Sequence, residues 1–212
     1  MLAIATYGVR MRHFHLAVFD LDGTLLDSDT ALVDAFVQLG IPRAEISFGH
    51  PIEVECIRLG LRVEDYVSAY DTDAVRPFEG ADQLVRALGR WGICSNKARS
   101  SANDELTRLG WSPDVALFAD DFGGGPKDLG PVLAALGVGG VGDDLRLGDD
   151  VVDHRNHRRG VVYVGDTLHD LHCAEAVGVS FAWAGWNRRV IELDPDGLVL
   201  RHPLDLLDLL DR

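Results

Sequence analysis

Five apolar runs of strand length, separated by stretches of helical spacing, constrain this chain more than any other feature. The runs are residues 16–21 (LAVFDL), 92–95 (GICS), 115–119 (VALFA), 161–165 (VVYVG) and 179–184 (VSFAWA). They are nearly continuous rather than alternating, which suits strands covered on both faces. Between the last four lie residues 100–109, 128–136 and 168–177, each with helical spacing, and Leu204, Leu207 and Leu210 suggest a closing helix. Such alternation predicts an α/β fold: a parallel sheet with helices on both faces. A length of 212 residues holds one such domain and a small insert. No repeat of solenoid length is visible.

Residues 28–76 break the alternation. They carry no strand signal but three short helical patterns. Leu32, Ala35, Phe36 and Leu39 fall at i, i+3, i+4 and i+7 before the stop at Gly40-Ile41-Pro42. A second pattern covers residues 51–59 and ends at Gly60; a third covers 63–70. Residues 76–80 read as a return linker ahead of a helix at 81–88. The expected division is a core of residues 11–27 and 77–212, a helical cap of 28–76, and an N-terminal extension of 1–10. The insert lies near the C-terminal end of the first strand, where open α/β sheets bind ligands.

Charge narrows the function. With 20 Lys+Arg against 34 Asp+Glu the formal charge is −14, which repels nucleic-acid backbones and anionic lipid. Neither is an expected partner, and no apolar run approaches the ~20 residues of a membrane span. Small phosphorylated substrates remain compatible, because a bound cation reverses the local sign. Cys56, Cys94 and Cys173 are widely spaced with no CxxC, so a reducing cytoplasm is expected rather than a disulfide framework. Residues 1–10 lack the basic start of a secretory leader.

The chemistry gathers at strand ends. Phe19-Asp20-Leu21-Asp22-Gly23-Thr24 runs an apolar strand into two carboxylates. Residues two apart project to one side of an extended chain, so Asp20 and Asp22 can converge on one site. Gly23 permits a sharp exit, and it stands fourth from Asp20 rather than at the sixth place an EF-hand calcium loop requires. Uncompensated, the two carboxylates repel and one is pushed toward protonation; a divalent cation resolves this. In Val164-Gly165-Asp166-Thr167-Leu168-His169-Asp170, a second strand ends in Gly-Asp with another Asp four residues on. Asp166 and Asp170 can complete an oxygen-only site suited to Mg²⁺, although Asp170 alone could serve merely to compensate a helix N-terminus. Ser95-Asn96 closes the second strand with a hydroxyl and exposed N–H groups, and Lys127 follows Gly123-Gly124-Gly125-Pro126 after the third. Singly these are a common loop residue and a common solvated charge; together all four features fall at the C-terminal ends of successive strands.

DLDGT followed by LLDS, Ser-Asn after the second strand, a lysine after the third and GDTLHD after the fourth resemble the haloacid dehalogenase superfamily over residues 16–190. The resemblance implies a Rossmann-like parallel sheet of order 3-2-1-4-5. It likens the inserted helices to the cap of phosphoglycolate-phosphatase-like members. It implies Asp20 as the nucleophile that forms a phosphoaspartate, and Asp22 as general acid and then base. Mg²⁺ would be held by Asp20, the backbone carbonyl of Asp22 and Asp166, with Asp170 in support. Ser95, with Thr24 and Asn96, would bind phosphoryl oxygens, and Lys127 would neutralise charge. Dehalogenating members lack an acid at the second aspartate, so Asp22 favours phosphoryl transfer.

Some features depart from that pattern. The usual order is Lys-Pro, whereas here Pro126 precedes Lys127, which leaves Lys97 as a second candidate. Residues 138–160 exceed the length of an ordinary connection. Their Gly142-Asp143-Asp144 and Gly148-Asp149-Asp150 follow no buried strand and read as solvated acidic loop, and Asp153, His154 and His157 lack a frame for a transition-metal site. His169 and His172 read as surface or packing residues, Trp183 and Trp186 as core and rim. Arg43, His50, Arg58 and Arg62 fall within the cap and read individually as solvated charges. The expected function is a Mg²⁺-dependent phosphatase of a small phosphorylated metabolite. The alternatives are a phosphomutase of the same superfamily and a non-catalytic phosphate- or metal-binding regulatory module.

Overall fold

In the computed structural model, which describes residues 14–47, 51–138, 158 and 160–211, the apolar runs become the centre of a six-stranded sheet. Its strands are β1 (Leu16–Phe19), β4 (Trp91–Cys94), β5 (Val115–Leu117), β6 (Val161–Gly165), β7 (Ser180–Ala184) and β8 (Val199–Leu200), in the order β5-β4-β1-β6-β7-β8. Every pairing within it is parallel. The five expected strands therefore take the expected order; β6 matches its apolar run, β4 keeps the length of its run but starts one residue earlier, and β1, β5 and β7 are shorter by one or two residues. A sixth, β8, adds an edge that two residues cannot announce in sequence.

Alternation of side chains along the strands divides the core in two. Ala17 and Phe19 of β1, Ile93 of β4 and Val162 and Val164 of β6 face one layer, which includes α4 (Ala81–Ala87) and α5 (Arg99–Leu109). Leu16 and Val18, with Val161 and Tyr163, face the other, built from α6 (Leu129–Ala135) and α7 (Leu168–Val177). Each strand is thus apolar at successive positions because both of its faces are buried.

The first crossover carries α1 (Asp29–Gln38), α2 (Ile52–Leu59) and α3 (Val63–Ala69). Contrary to the reading of 76–80 as plain linker, β3 (Arg76–Pro77) pairs antiparallel with β2 (Leu26–Asp27), so the segment leaves and returns through a short two-stranded ribbon. Phe36 of α1 and Tyr66 of α3 pack with ring centroids 4.5 Å apart. The closing helix also differs from expectation: Pro203–Leu209 is a 3₁₀ helix. Leucines spaced by three match its three-residue turn rather than the 3.6 of an α-helix. After β7, α8 (Arg188–Leu193) starts at the cap residue Asn187. Residues 1–10, His50 and residues 139–157, with their acidic and histidine motifs, lie outside the described residues. Among the described residues no helix is long and apolar enough to cross a membrane.

Candidate active site

The site begins where β1 runs out. The Asp20 N–H donates to the Val164 carbonyl at 2.9 Å, extending the ladder one residue and fixing the start of the acidic turn. Gly23 then adopts φ +77°, and a side-chain carbon there would fall 2.5 Å from both Asp166 and Arg189. Only glycine combines that backbone with that close approach. The Gly23 carbonyl accepts from Asn187 Nδ2 at 2.7 Å, tying the turn to the start of α8.

At the end of β6, Asp166 follows Gly165, and Thr167 caps α7 in a reciprocal box with Asp170. Asp170 accepts from the Thr167 N–H (2.9 Å) and hydroxyl (2.6 Å) and from Tyr163 OH (3.0 Å). The two readings of Asp170 merge here, since the helix-capping carboxylate is also part of the acidic cluster. A side-chain carbon on Gly165 would lie 2.4 Å from Asp170 Cβ and Cγ. Gly165→Ala is therefore expected to displace Asp170 and cost about 1–3 kcal/mol by overpacking, seen as a lower thermal midpoint.

Carboxylate oxygens of Asp20, Asp166 and Asp170, all buried, lie within 4.8 Å of one another. Burial pushes Asp20 up to about 6, with Lys127 opposing and Asp170 and Asp22 adding to the rise. Burial, then the charge of Asp170, pushes Asp166 well above the usual carboxylate range. Burial also opposes charge on Asp170, but Lys127 and the hydrogen bonds from Lys127 and Thr167 outweigh it and hold that carboxyl low. Three buried hard-oxygen donors with this mutual repulsion suit a compact divalent cation, so the residues present fit Mg²⁺.

Lys127 is the lysine that enters this cluster. Its Nζ bonds Asp20 Oδ1 at 3.1 Å and also pairs with Asp170. Burial works against its charge, yet Asp170 and Asp20 hold it above its ordinary value. The inverted Pro-Lys order is absorbed by the next residue: Asp128 caps α6, accepting the Gly130 N–H at 2.8 Å, and Lys127 enters directly ahead of that cap.

Lys97, the second candidate, serves Asp22 instead. Its buried Nζ lies 2.8 Å from Asp22 Oδ1, 3.1 Å from Glu105 Oε1 and 2.7 Å from Tyr70 OH. Asp20 and Asp22 thus border one cavity with different partners, and the Asp22 carboxylate stands outside the three-acid cluster. Ser95, Asn96 and Thr167 line the same cavity. The Ser95 hydroxyl accepts the Lys97 N–H at 3.3 Å, folding the loop after β4 over the site. Thr24 is fully buried behind it and donates to Asp166 Oδ1 at 3.2 Å, a place from which it orients a carboxylate.

The sequence reading passed over two side chains here. Arg189 bridges Asp166 Oδ2 and Asp29 Oδ1 at 2.8 Å each, and Asn187 Nδ2 reaches Asp166 at 3.3 Å. A polar Asn-Arg-Arg, separated by two residues from the last long strand, was the available signal, because it opens a helix at the same sheet edge. Glu105 and Tyr70 were passed over as well. Burial pushes Glu105 up to about 7, with Lys97 opposing.

No family model matches the chain. It is 28% identical over 222 residues to the pyrophosphatase PpaX of Halalkalibacterium halodurans, covering 91% of this chain and 94% of that one. It is 27% identical over 210 residues to a phosphoglycolate phosphatase of Xylella fastidiosa, covering 84% and 83%. Among solved structures, a haloacid dehalogenase-like family hydrolase from Streptococcus pneumoniae superposes with a TM-score of 0.61 at 20% identity, over 92% of this chain and 97% of that one. A subfamily IA hydrolase from Geobacter sulfurreducens gives 0.56 at 19% identity, over 92% and 96%. With aspartates at the ends of β1 and β6, a lysine entering between them and the expected sheet order, the chain has the fold of the haloacid dehalogenase-like hydrolases and is similar in sequence to curated phosphatases.

Proposed function

We propose that the chain is a phosphoric monoester hydrolase, a Mg²⁺-dependent phosphatase that acts on a small phosphorylated metabolite through a phosphoaspartate on Asp20. The observation that carries this reading is the convergence of Asp20, Asp166 and Asp170 beside Lys127, with Asp22 on the same cavity.

Asp20 and Asp166, with Asp170 in support and the Asp22 backbone carbonyl, would hold the cation. When bound, Mg²⁺ supplies charge neutralisation and polarisation of the phosphoryl oxygens. Lys127 lowers the repulsion between Asp20 and an incoming phosphate dianion. Asp20 attacks phosphorus; the bond from phosphorus to the leaving oxygen breaks, and Asp22 delivers a proton to that oxygen. Asp22 then takes a proton from a water that attacks the phosphoaspartate, releasing phosphate and restoring Asp20. Ser95 and Asn96 bind phosphoryl oxygens, while Thr24 acts through Asp166. Residues 28–76 serve as a cap on a core of 11–27 and 77–212, opening for substrate and closing against bulk water. Three buried thiols without a disulfide agree with a cytoplasmic setting, and the charge of −14 argues against nucleic-acid or membrane partners.

Phosphate release from p-nitrophenyl phosphate tests the reading. Turnover is expected with Mg²⁺, is lost on chelation and returns when Mg²⁺ is restored. Mg²⁺ binding without turnover of any phosphomonoester would make the chain a binding module instead.

A further inference from the structure

The helical segment gives the cavity a wall of unusual chemistry for a phosphatase of anionic metabolites. Leu32 and Phe36 of α1, Ile46 beyond it, Ile52 of α2, and Tyr66 and Val67 of α3 line that wall. The arginines of the segment are engaged elsewhere; Arg76 donates to the Asp73 and Val75 carbonyls. Arg43 pairs with Asp34 at 2.6 Å, Arg58 with Glu55 at 2.7 Å, and Arg62 with Glu64 at 3.4 Å. None of the four lines the cavity, whereas Glu55 does. Its carboxylate is buried and accepts from Arg58 Nε at 2.8 Å and from the Ser47 N–H at 2.7 Å. A second carboxylate or phosphate lying against this wall would therefore meet hydrocarbon, Ser47 and a neutralised acid, while the cavity's Lys97 and Arg189 are already paired with acids, an environment that penalises a buried charge. Hydrocarbon, in contrast, is stabilised there.

One residue of this wall, Tyr66, carries a buried polar atom without a partner. Tyr66 is 3% exposed, its ring packs on Phe36, and its phenolic oxygen is buried with no hydrogen-bond partner among the described residues. An unpaired buried hydroxyl is costly and gains when a ligand supplies an acceptor.

We propose that the substrate's leaving group is an uncharged alcohol, mainly hydrocarbon, bearing one hydrogen-bond acceptor that Tyr66 binds, rather than glycolate or a second phosphate. This rests on the phosphatase reading and narrows its substrate class.

The test is a kcat/KM series on the full chain with Mg²⁺: ethyl, butyl and hexyl phosphate, methoxyalkyl phosphates of hexyl length, 2-phosphoglycolate and pyrophosphate, with p-nitrophenyl phosphate as control. Along the alkyl series kcat/KM is expected to rise about threefold to fourfold per methylene. Hexyl phosphate should exceed phosphoglycolate and pyrophosphate by about tenfold or more. Val67→Arg, at a half-buried wall position, should raise the phosphoglycolate-to-hexyl ratio about tenfold. Tyr66→Phe should penalise the best methoxyalkyl phosphate about fivefold to tenfold more than hexyl phosphate. A series flat in chain length, or preference for phosphoglycolate or pyrophosphate, overturns the proposal while the phosphatase reading stands. Equal losses on both substrates in Tyr66→Phe overturn the part assigned to Tyr66. Inertness toward every substrate, the control included, overturns the phosphatase reading and this proposal with it. The wild-type series decides the substrate class even where a variant fails to fold.

Discussion

Asp20→Asn is expected to lower phosphate release by about 10³-fold or more at saturating Mg²⁺. An amide keeps the shape of the side chain but offers no anionic oxygen to phosphorus, and it removes one donor from the acidic cluster. Lys127 keeps Asp170 as a partner, so the ammonium is not stranded by the change. In the absence of metal the same substitution should leave the thermal midpoint unchanged or raise it. Burial and two neighbouring acids already push the Asp20 carboxyl up to about 6, and a neutral isostere removes that repulsion. Activity and melting should therefore move independently. A variant that retained turnover would place the nucleophile on another side chain, and one that lost turnover by unfolding would show it in the melt.

What was legible in the sequence follows physical range. β1 and β6 announce themselves because burial on both faces forces every position to be apolar, and the acids that end them stand out by contrast. Asp20 and Asp166 could be paired in advance on that basis, although 146 positions separate 20 from 166. Lys127 was harder to place, since a lysine after a glycine-rich loop has no periodicity to orient it; the cap at Asp128 decides where it points. Lys97, Tyr70 and Glu105 could not be assembled from spacing. Their side chains meet from the loop after β4, the end of the helical segment and the middle of α5, and each alone resembles an ordinary surface or helix residue. Thr24 is the opposite case. Its place in the motif suggested contact with substrate, but the turn at Gly23 carries the hydroxyl behind Asp166. The short β2–β3 ribbon and β8 lie below the length at which pattern carries information.

Lys97→Met is expected to cost about 3–5 kcal/mol of stability, because it leaves Glu105 fully buried without its cation. At this chain length that corresponds to a fall in thermal midpoint of about 2–4 °C for each kcal/mol. The lysine also sits 4.6 Å from the Tyr70 ring centroid and 2.8 Å from Asp22, so the substitution frees the proposed acid as well. A drop in kcat is expected with it, steeper for poor leaving groups than for p-nitrophenolate, since a poor leaving group depends more on a delivered proton. The two consequences separate in the double variant Lys97→Met with Glu105→Gln. A neutral amide can donate to Tyr70 and no longer requires a cation, so most of the lost stability should return. Asp22 remains without its lysine, so kcat on poor leaving groups should stay low. Recovery of both stability and turnover would mean that Lys97 serves only the fold and that Asp22 is positioned by other contacts. Recovery of stability alone, measured by urea unfolding alongside the leaving-group series, ties the buried lysine to the proposed proton delivery by Asp22.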